Sequence, residues 1–273
     1  MISVLILCKN EEKDLPGCLD SVRWSDDIHV FDSFSTDATA KIAKDGGAHL
    51  TQRVFDNYAA QRNAALHGCA FRHEWVLILD ADERIPAALA EEMLQCVKDA
   101  DDKVVAFRIR RRDFFDGTWL KHAQISPFYI RLVRPQKAHY ERAINEVLKV
   151  DGTVLDCAEP FDHFPFSKGI RHWIDKHNTY STMEAEEALR IRKGTGGEFS
   201  VIKAIFARDF NERRLHQKGL FYKVPFRPVI KFIYMTLVRR AFLDGRAGIS
   251  YAFLQSIYEY FIVLKTRELE SKS

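Results

Sequence analysis

The stretch Glu74-Trp75-Val76-Leu77-Ile78-Leu79-Asp80-Ala81-Asp82-Glu83 restricts the folds open to this chain more than any other. The apolar run Val76–Leu79 is too short for a helix and predicts a central strand buried on both faces, which belongs in a sheet covered by helices. Three carboxylates follow within four residues, at the strand's carboxyl end. In open α/β sheets that edge is where ligands bind. Clustered carboxylates repel one another unless a cation or hydrogen bonds compensate, and a hard divalent ion shared with substrate phosphates would do so. Asp80 and Asp82 are therefore candidate ligands of a metal–diphosphate site. The alternative is a solvated acidic turn leading into a helix from Pro86.

The flanking sequence fits such a sheet. Ile2–Leu7 predicts a first strand, and Asn10 can cap a helix over Glu11–Val22 with Leu15, Leu19 and Val22 as its core stripe. Ile28–Phe31 predicts a second strand, ending in the turn Asp32-Ser33-Phe34-Ser35-Thr36-Asp37-Ala38-Thr39 before a helix to about Lys44. A short strand over Ala48–Thr51, a helix over Asn57–His67 and another over Pro86–Lys98 complete an alternation that argues for parallel βαβ units. From Val104 the rhythm changes. Val104–Arg110 reads as a half-exposed strand with Val105, Phe107 and Ile109 on one side, and Phe128–Val133 and Val147–Leu155 are further strands. A long helix over Ile170–Arg192 ends at Lys193-Gly194-Thr195-Gly196-Gly197, which sets the expected boundary between a domain at 1–195 and a tail at 196–273.

At 47% hydrophobic and 29% charged the chain can build a core, which argues against disorder. Five scattered cysteines without CxxC spacing suit a reducing compartment and predict neither a disulfide framework nor a zinc site. The start, Met1-Ile2-Ser3-Val4-Leu5-Ile6-Leu7, reads as a strand and not as a signal peptide. Neither GxGxxG nor GxxxxGK[ST] occurs, which argues against a dinucleotide enzyme or a P-loop NTPase and leaves phosphates to the metal. Charge is uneven: residues 201–273 hold 14 Lys/Arg against 6 Asp/Glu, a net of +8, while the first 200 hold 27 against 32, a net of −5. The tail interleaves its cations with Phe206, Phe210, Phe221, Tyr222, Phe226, Phe232 and Tyr234, which suits amphipathic helices at an anionic membrane surface; a helical core or a homodimer contact is the alternative, and no nucleic-acid partner is expected. No run of 18 apolar residues free of charge occurs, so no ordinary membrane-spanning helix is expected.

Single residues stand out. Asp32 ends the second strand on the same sheet edge as Asp80, where it either accepts hydrogen bonds from a nucleotide or caps the next helix. Arg62 and Asn63 reach a nucleotide if their helix packs beside the switch point, and are surface residues otherwise. Glu146 is a charge within the apolar run Ile144–Leu148; a carboxylate among apolar neighbours has the raised proton affinity of a general base, unless it faces solvent, and Asp113 or Asp116 could compete for the role. Among the histidines, none at metal-ligand spacing, His163 beside Asp162 is the one to watch.

Taken together, Lys9-Asn10-Glu11-Glu12, Asp32–Thr39, Tyr58-Ala59-Ala60-Gln61-Arg62-Asn63, Trp75–Glu83, Arg131-Leu132-Val133, Asn145-Glu146-Val147-Leu148, Arg227-Pro228 and Phe242-Leu243-Asp244-Gly245 resemble the family 2 inverting glycosyltransferases, within them the lipopolysaccharide core β-1,4-glucosyltransferases. Two positions depart from the usual pattern: Phe34 and Ala38 stand where Ser and Gly are more usual, and Asn145-Glu146 where a His-Glu pair is often found. The resemblance implies an α/β fold, a GT-A-like Rossmann-type mixed sheet flanked by helices with a C-terminal amphipathic helical tail. It implies transfer of a hexose, glucose from UDP-glucose first, onto a lipopolysaccharide core or other envelope glycan. A polyprenyl phosphate acceptor, or a non-catalytic nucleotide-sugar-binding scaffold, are the rival readings. Carried over residue by residue, Asp32 would hold the uracil and Asp80 the ribose, with Asn10, Arg62, Asn63 and Ala81 also at the nucleotide sugar. Asp82, with Asp80, would hold Mg²⁺ or Mn²⁺ at the diphosphate. Glu146 would be the base, and Arg131 and His163 would face the acceptor. A lipid-linked acceptor implies a cytoplasmic enzyme, peripheral on the inner face of the membrane.

Overall fold

The computed structural model describes residues 1–141, 147–194, 199–207 and 210–272. In chain order the elements are β1 (Ile2–Cys8), α1 (Leu15–Ser21), β2 (Ile28–Asp32), α2 (Thr39–Asp45), β3 (His49–Gln52), α3 (Tyr58–Gly68), β4 (Trp75–Asp80), β5 (Glu83–Arg84) and α4 (Ala87–Asp99). Then come β6 (Val104–Phe115), β7 (Thr118–Trp119), β8 (Phe128–Val133), β9 (Ala138–Glu141), β10 (Val147–Val150), β11 (Thr153–Asp156), β12 (Phe161–His163) and α5 (Gly169–Arg192). The remainder is helical: α6 (Val201–Phe206), α7 (Phe210–Phe221), α8 (Arg227–Ile233), a π-helical turn Tyr234–Val238, a 3₁₀ turn Ala241–Asp244, and α9 (Gly245–Ser271). Two compact units result, Met1–Phe114 with Ser126–Ser167, and Phe115–Ile125 with Lys168–Ser273.

The first unit is the expected mixed sheet flanked by helices. Strands β3-β2-β1-β4 are parallel, β8 runs antiparallel to both β4 and β6, and β12 is parallel to β6. As its apolar run demands, β4 is buried along Trp75–Leu79. Both faces carry a core: Val4, Ile6, Leu77 and Leu79 pack with Leu15 of α1 and Leu89 and Met93 of α4, while Leu5, Val76 and Ile78 pack with Ala65 and Leu66 of α3. Fully burying such side chains is worth roughly 1.5–3 kcal/mol each, which fixes the β1–β4 register.

Local differences from the sequence reading have physical causes. Asn10 does not cap α1: it sits at φ 54° and its Oδ1 accepts from Thr36 N at 2.9 Å, so it serves the loop after β2, and the helix starts only at Leu15. The alternation in β6 breaks at Val105, which is the extra residue against β11 and joins the opposite core face from Phe107 and Ile109. The run Val147–Leu155 is two strands, because Gly152 turns at φ 149° and a Cβ there would meet Val105 Cγ1 at 2.5 Å.

In the second unit α9 packs with α5 and α8. The stretch Ala241–Ser271 holds an 18-residue window of mean hydropathy 1.2, a third of it buried, and is long and apolar enough to cross a bilayer by length and composition only, a feature that the absence of an uncharged run did not lead us to expect. Two of the downstream motifs act as clamps here. Asp244 accepts from the backbone of His122 and Ala123 and meets His122 Nδ1 at 2.6 Å, and Arg227 is buried with its Nε 3.3 Å from Glu259.

Candidate active site

The first unit places its polar groups where the parallel strands end. Register sets Cys8 of β1 beside Asp32 of β2, and Leu7 beside Asp80 of β4. Strands β2 and β3 lie on one side of β1 and β4 on the other, so the sheet reverses its order here and leaves a crevice outside the strand ends. A cavity of about 280 Å³ opens there, with Lys9, Ser33, Phe55, Tyr58, Arg62 and Asp80 among its walls.

Asp80 anchors one wall. Arg62 of α3 donates to its Oδ1 at 2.8 Å and Arg131 of β8 approaches its Oδ2 at 3.3 Å. Burial would raise this carboxyl, but the two guanidinium groups outweigh burial and hold it well below the usual carboxylate range. Arg131 is itself buried and also pairs with Glu83, which is 1% exposed. Glu83 in turn accepts from Asp80 N at 3.0 Å. Burial, with the charge of Asp80 adding, pushes Glu83 up to about 7 despite Arg131. Expected at the acceptor, Arg131 is thus a buried brace beneath the Asp80–Glu83 turn.

The second carboxylate of the turn, Asp82, keeps 30% of its side chain exposed and faces His163 Nε2 at 3.3 Å. The other ring nitrogen, His163 Nδ1, meets Asp113 Oδ1 at 2.5 Å. Burial would lower His163, but its hydrogen bonds to Asp113 and Asp82 raise it to about 9. Asp113 is buried between His163 and Arg111, and these partners hold it below the usual range against its burial. A carboxylate that orients an imidazole whose other nitrogen points at a second carboxylate is the arrangement metal sites use. Once His163 gives up its proton, Asp82 and His163 can hold a divalent ion, with phosphate oxygens supplying its harder ligands.

Other expected residues do different work. Asp32 is fully buried and accepts from Ser35 N at 3.0 Å, Ser35 Oγ and Gln52 Nε2 at 2.9 Å, which holds the turn after β2; α2 begins only at Thr39, so Asp32 does not cap it. Asn63 spends its amide on the backbone of Tyr140, at 2.8 and 2.7 Å, and pins β9 to α3. Ala81 is buried, its carbonyl accepting from Arg84 at 2.8 Å. Glu146 lies outside the described residues. Sequence reasoning gave no role to Lys9, whose Nζ donates to the carbonyls of Ser33 and Phe34 at 2.7 and 2.8 Å, nor to Phe55 and Tyr58, whose rings meet edge-on at 5.1 Å. The signal for Tyr58 was its place in the motif ending at Asn63. The cysteines also hold a surprise, since Cys96, Cys157 and Glu92 converge within 4.8 Å, a grouping that spacing of 61 residues between the thiols conceals.

A profile described as Glycosyl transferase family 2 matches residues 3–155, more than half of the chain. The chain belongs to that family. This family 2 glycosyltransferase is 27% identical over 274 residues to the lipopolysaccharide core biosynthesis glycosyltransferase LpsC of Rhizobium meliloti, covering 97% of this chain and 91% of that one. It is 32% identical over 203 residues to an uncharacterized glycosyltransferase of Rickettsia conorii, covering 69% and 71%. Among solved structures, glucosyl-3-phosphoglycerate synthase from Mycobacterium tuberculosis in complex with phosphoglyceric acid shares 16% identity at a TM-score of 0.43 over 60% of this chain and 71% of that one. The family assignment rests on the sequence match.

Proposed function

We propose that this family 2 glycosyltransferase is a metal-dependent, inverting hexosyltransferase that moves a sugar from a UDP donor, glucose first, onto a lipopolysaccharide core or related envelope glycan at the inner face of the cell membrane. The observation that carries this reading is the convergence of Asp80, Arg62, Asp82 and His163 at the strand ends beside the cavity. Such a crevice suits a nucleotide diphosphate: Tyr58 and Phe55 offer rings for a base, and Lys9 and Arg62 offer cations for phosphates. A divalent ion held by Asp82 and His163 would supply neutralisation of the charge growing on the departing diphosphate. Arg62 and Arg131 hold Asp80 ionised and fixed, so that it can accept from ribose hydroxyls without reorganising. Asp113 fixes the orientation of His163. Glu146 is the proposed base that takes the proton of the acceptor hydroxyl. The named activity of the Rhizobium relative, matched along nearly its whole length, supports the lipopolysaccharide acceptor.

Radiolabelled-sugar transfer tests the reading. Asp82→Ala is expected to abolish transfer, and to abolish the rise in thermal midpoint that UDP with Mn²⁺ gives the unaltered protein, while far-UV circular dichroism stays unchanged. Turnover retained by Asp82→Ala would overturn the metal assignment. UDP release that acceptor does not stimulate would instead favour a binding protein.

A further inference from the structure

A helix in a soluble protein turns its apolar stripe inward. In the second unit, α8 with the π-helical turn after it also turns a second apolar stripe outward. Phe226, Val229, Ile230, Ile233, Tyr234, Leu237 and Val238 follow one another at alternating steps of three and one, which places them on one helical face, and all are exposed, Phe226 at 80%, Leu237 at 63% and Val238 at 67%. Phe242 and Leu243 extend the exposed row at 50% and 53%. The inward side buries Met235, sets Phe232 against the Phe253 ring at 4.3 Å and also carries charge: Arg227 is 1% exposed, its guanidinium beside Glu259 and over the Tyr222 ring at 5.0 Å. Monomeric proteins rarely leave so contiguous an apolar surface to water.

Length and charge identify what covers it. Phe226–Val238 is 13 residues, about 20 Å of helix, well short of the roughly 30 Å of a bilayer's hydrocarbon core. Exposed Lys223 precedes the stripe, exposed Arg240 and Arg246 follow it, and no acidic residue lies between Lys223 and Arg240. A second copy would bring this cationic rim against itself, whereas anionic headgroups complement it.

We propose that Phe226–Leu243 is a monotopic docking element that lies in the plane of an anionic leaflet, its apolar stripe at the acyl boundary and its flanking cations at the phosphates. This deepens the membrane part of the reading above and is independent of the transfer chemistry, because binding is read without turnover.

Flotation of the full-length protein with vesicles of phosphatidylcholine, alone or mixed with phosphatidylglycerol, tests it. Binding to the mixed vesicles, weakened by salt, is expected. Leu237→Glu combined with Val238→Glu should weaken partitioning by about 100-fold or more, and Arg240→Ala by about fivefold, with transfer to a soluble acceptor fragment retained. Because an acidic pair could disturb the fold, Leu237→Trp provides a second readout: the emission of the introduced indole should shift to the blue and be quenched by brominated lipid. Absence of flotation, flotation that survives the double substitution, indole emission in Leu237→Trp that brominated lipid leaves unquenched, or a dimer in sedimentation that the double substitution splits would each overturn the proposal.

Discussion

Replacing Arg131 by methionine removes one cation and keeps much of the side-chain volume. In the native structure Arg131 is 8% exposed and lies against Asp80 and Glu83. Asp80 would keep Arg62 at 2.8 Å, but among the described residues Glu83 would keep only the hydrogen bond from Asp80 N. Removing one partner of a buried ion pair costs on the order of 3–5 kcal/mol, chiefly because the other charge is stranded. Glu83 can escape by staying protonated, and that makes the loss depend on pH. Its carboxyl is raised from an ordinary 4.5 to about 7, so the folded state already holds a proton that the unfolded chain has released between those values. Stability therefore falls as pH rises through this window and levels off above it. Without Arg131 the window extends upward, so the variant goes on losing stability between pH 7 and 8, by about a further 1.4 kcal/mol at 1.36 kcal/mol per unit. At pH 5.5 Glu83 is neutral in both proteins and this extra loss vanishes. Urea unfolding of Arg131→Met at pH 5.5 and pH 8, followed by tryptophan fluorescence, measures the difference, and adding Glu83→Gln should flatten it. A loss below about 1 kcal/mol at pH 8, or the same loss at both pH values, would refute the assignment of Arg131 as the brace of a buried carboxylate.

Two further predictions concern the site. Glu146→Gln is expected to leave UDP binding intact while kcat falls by about 10² or more; a near-normal kcat in transfer assays would remove Glu146 from the chemistry. Because His163 is raised to about 9, a metal ion must displace its proton at neutral pH. Apparent Mn²⁺ affinity, measured by titration calorimetry with UDP present, should therefore rise with pH by up to about tenfold per unit between pH 6 and 8 and flatten near 9. An affinity indifferent to pH would take His163 out of the ligand set.

The parallel half of the sheet was legible because the information is local: apolar runs of strand length alternate with helical stretches, and Asn57 and Pro86 stand at the starts of α3 and α4 where the pattern needs them. The positions of Asp80 and Asp82 at the edge of the strand followed from the same run. The partners of those carboxylates did not. His163 is more than 80 residues from Asp82, Asp113 some 50 from His163, and Arg131 some 50 from Glu83, and no spacing rule connects them. Asn63 and Asp32 were chemically able to meet a nucleotide, yet in the fold nearby backbone and side-chain donors and acceptors engage them.

By itself, then, the amino-acid order determined which segments become strands and helices and which sheet edge collects acid, because periodicity and burial act over a few residues. Tertiary structure decided which acids are held by arginine and which by histidine, because charge pairing depends on distance in space. It likewise decided that one apolar face of α8 points outward, since composition shows a basic, aromatic tail but only packing says which side of the helix the rest of the unit has left uncovered.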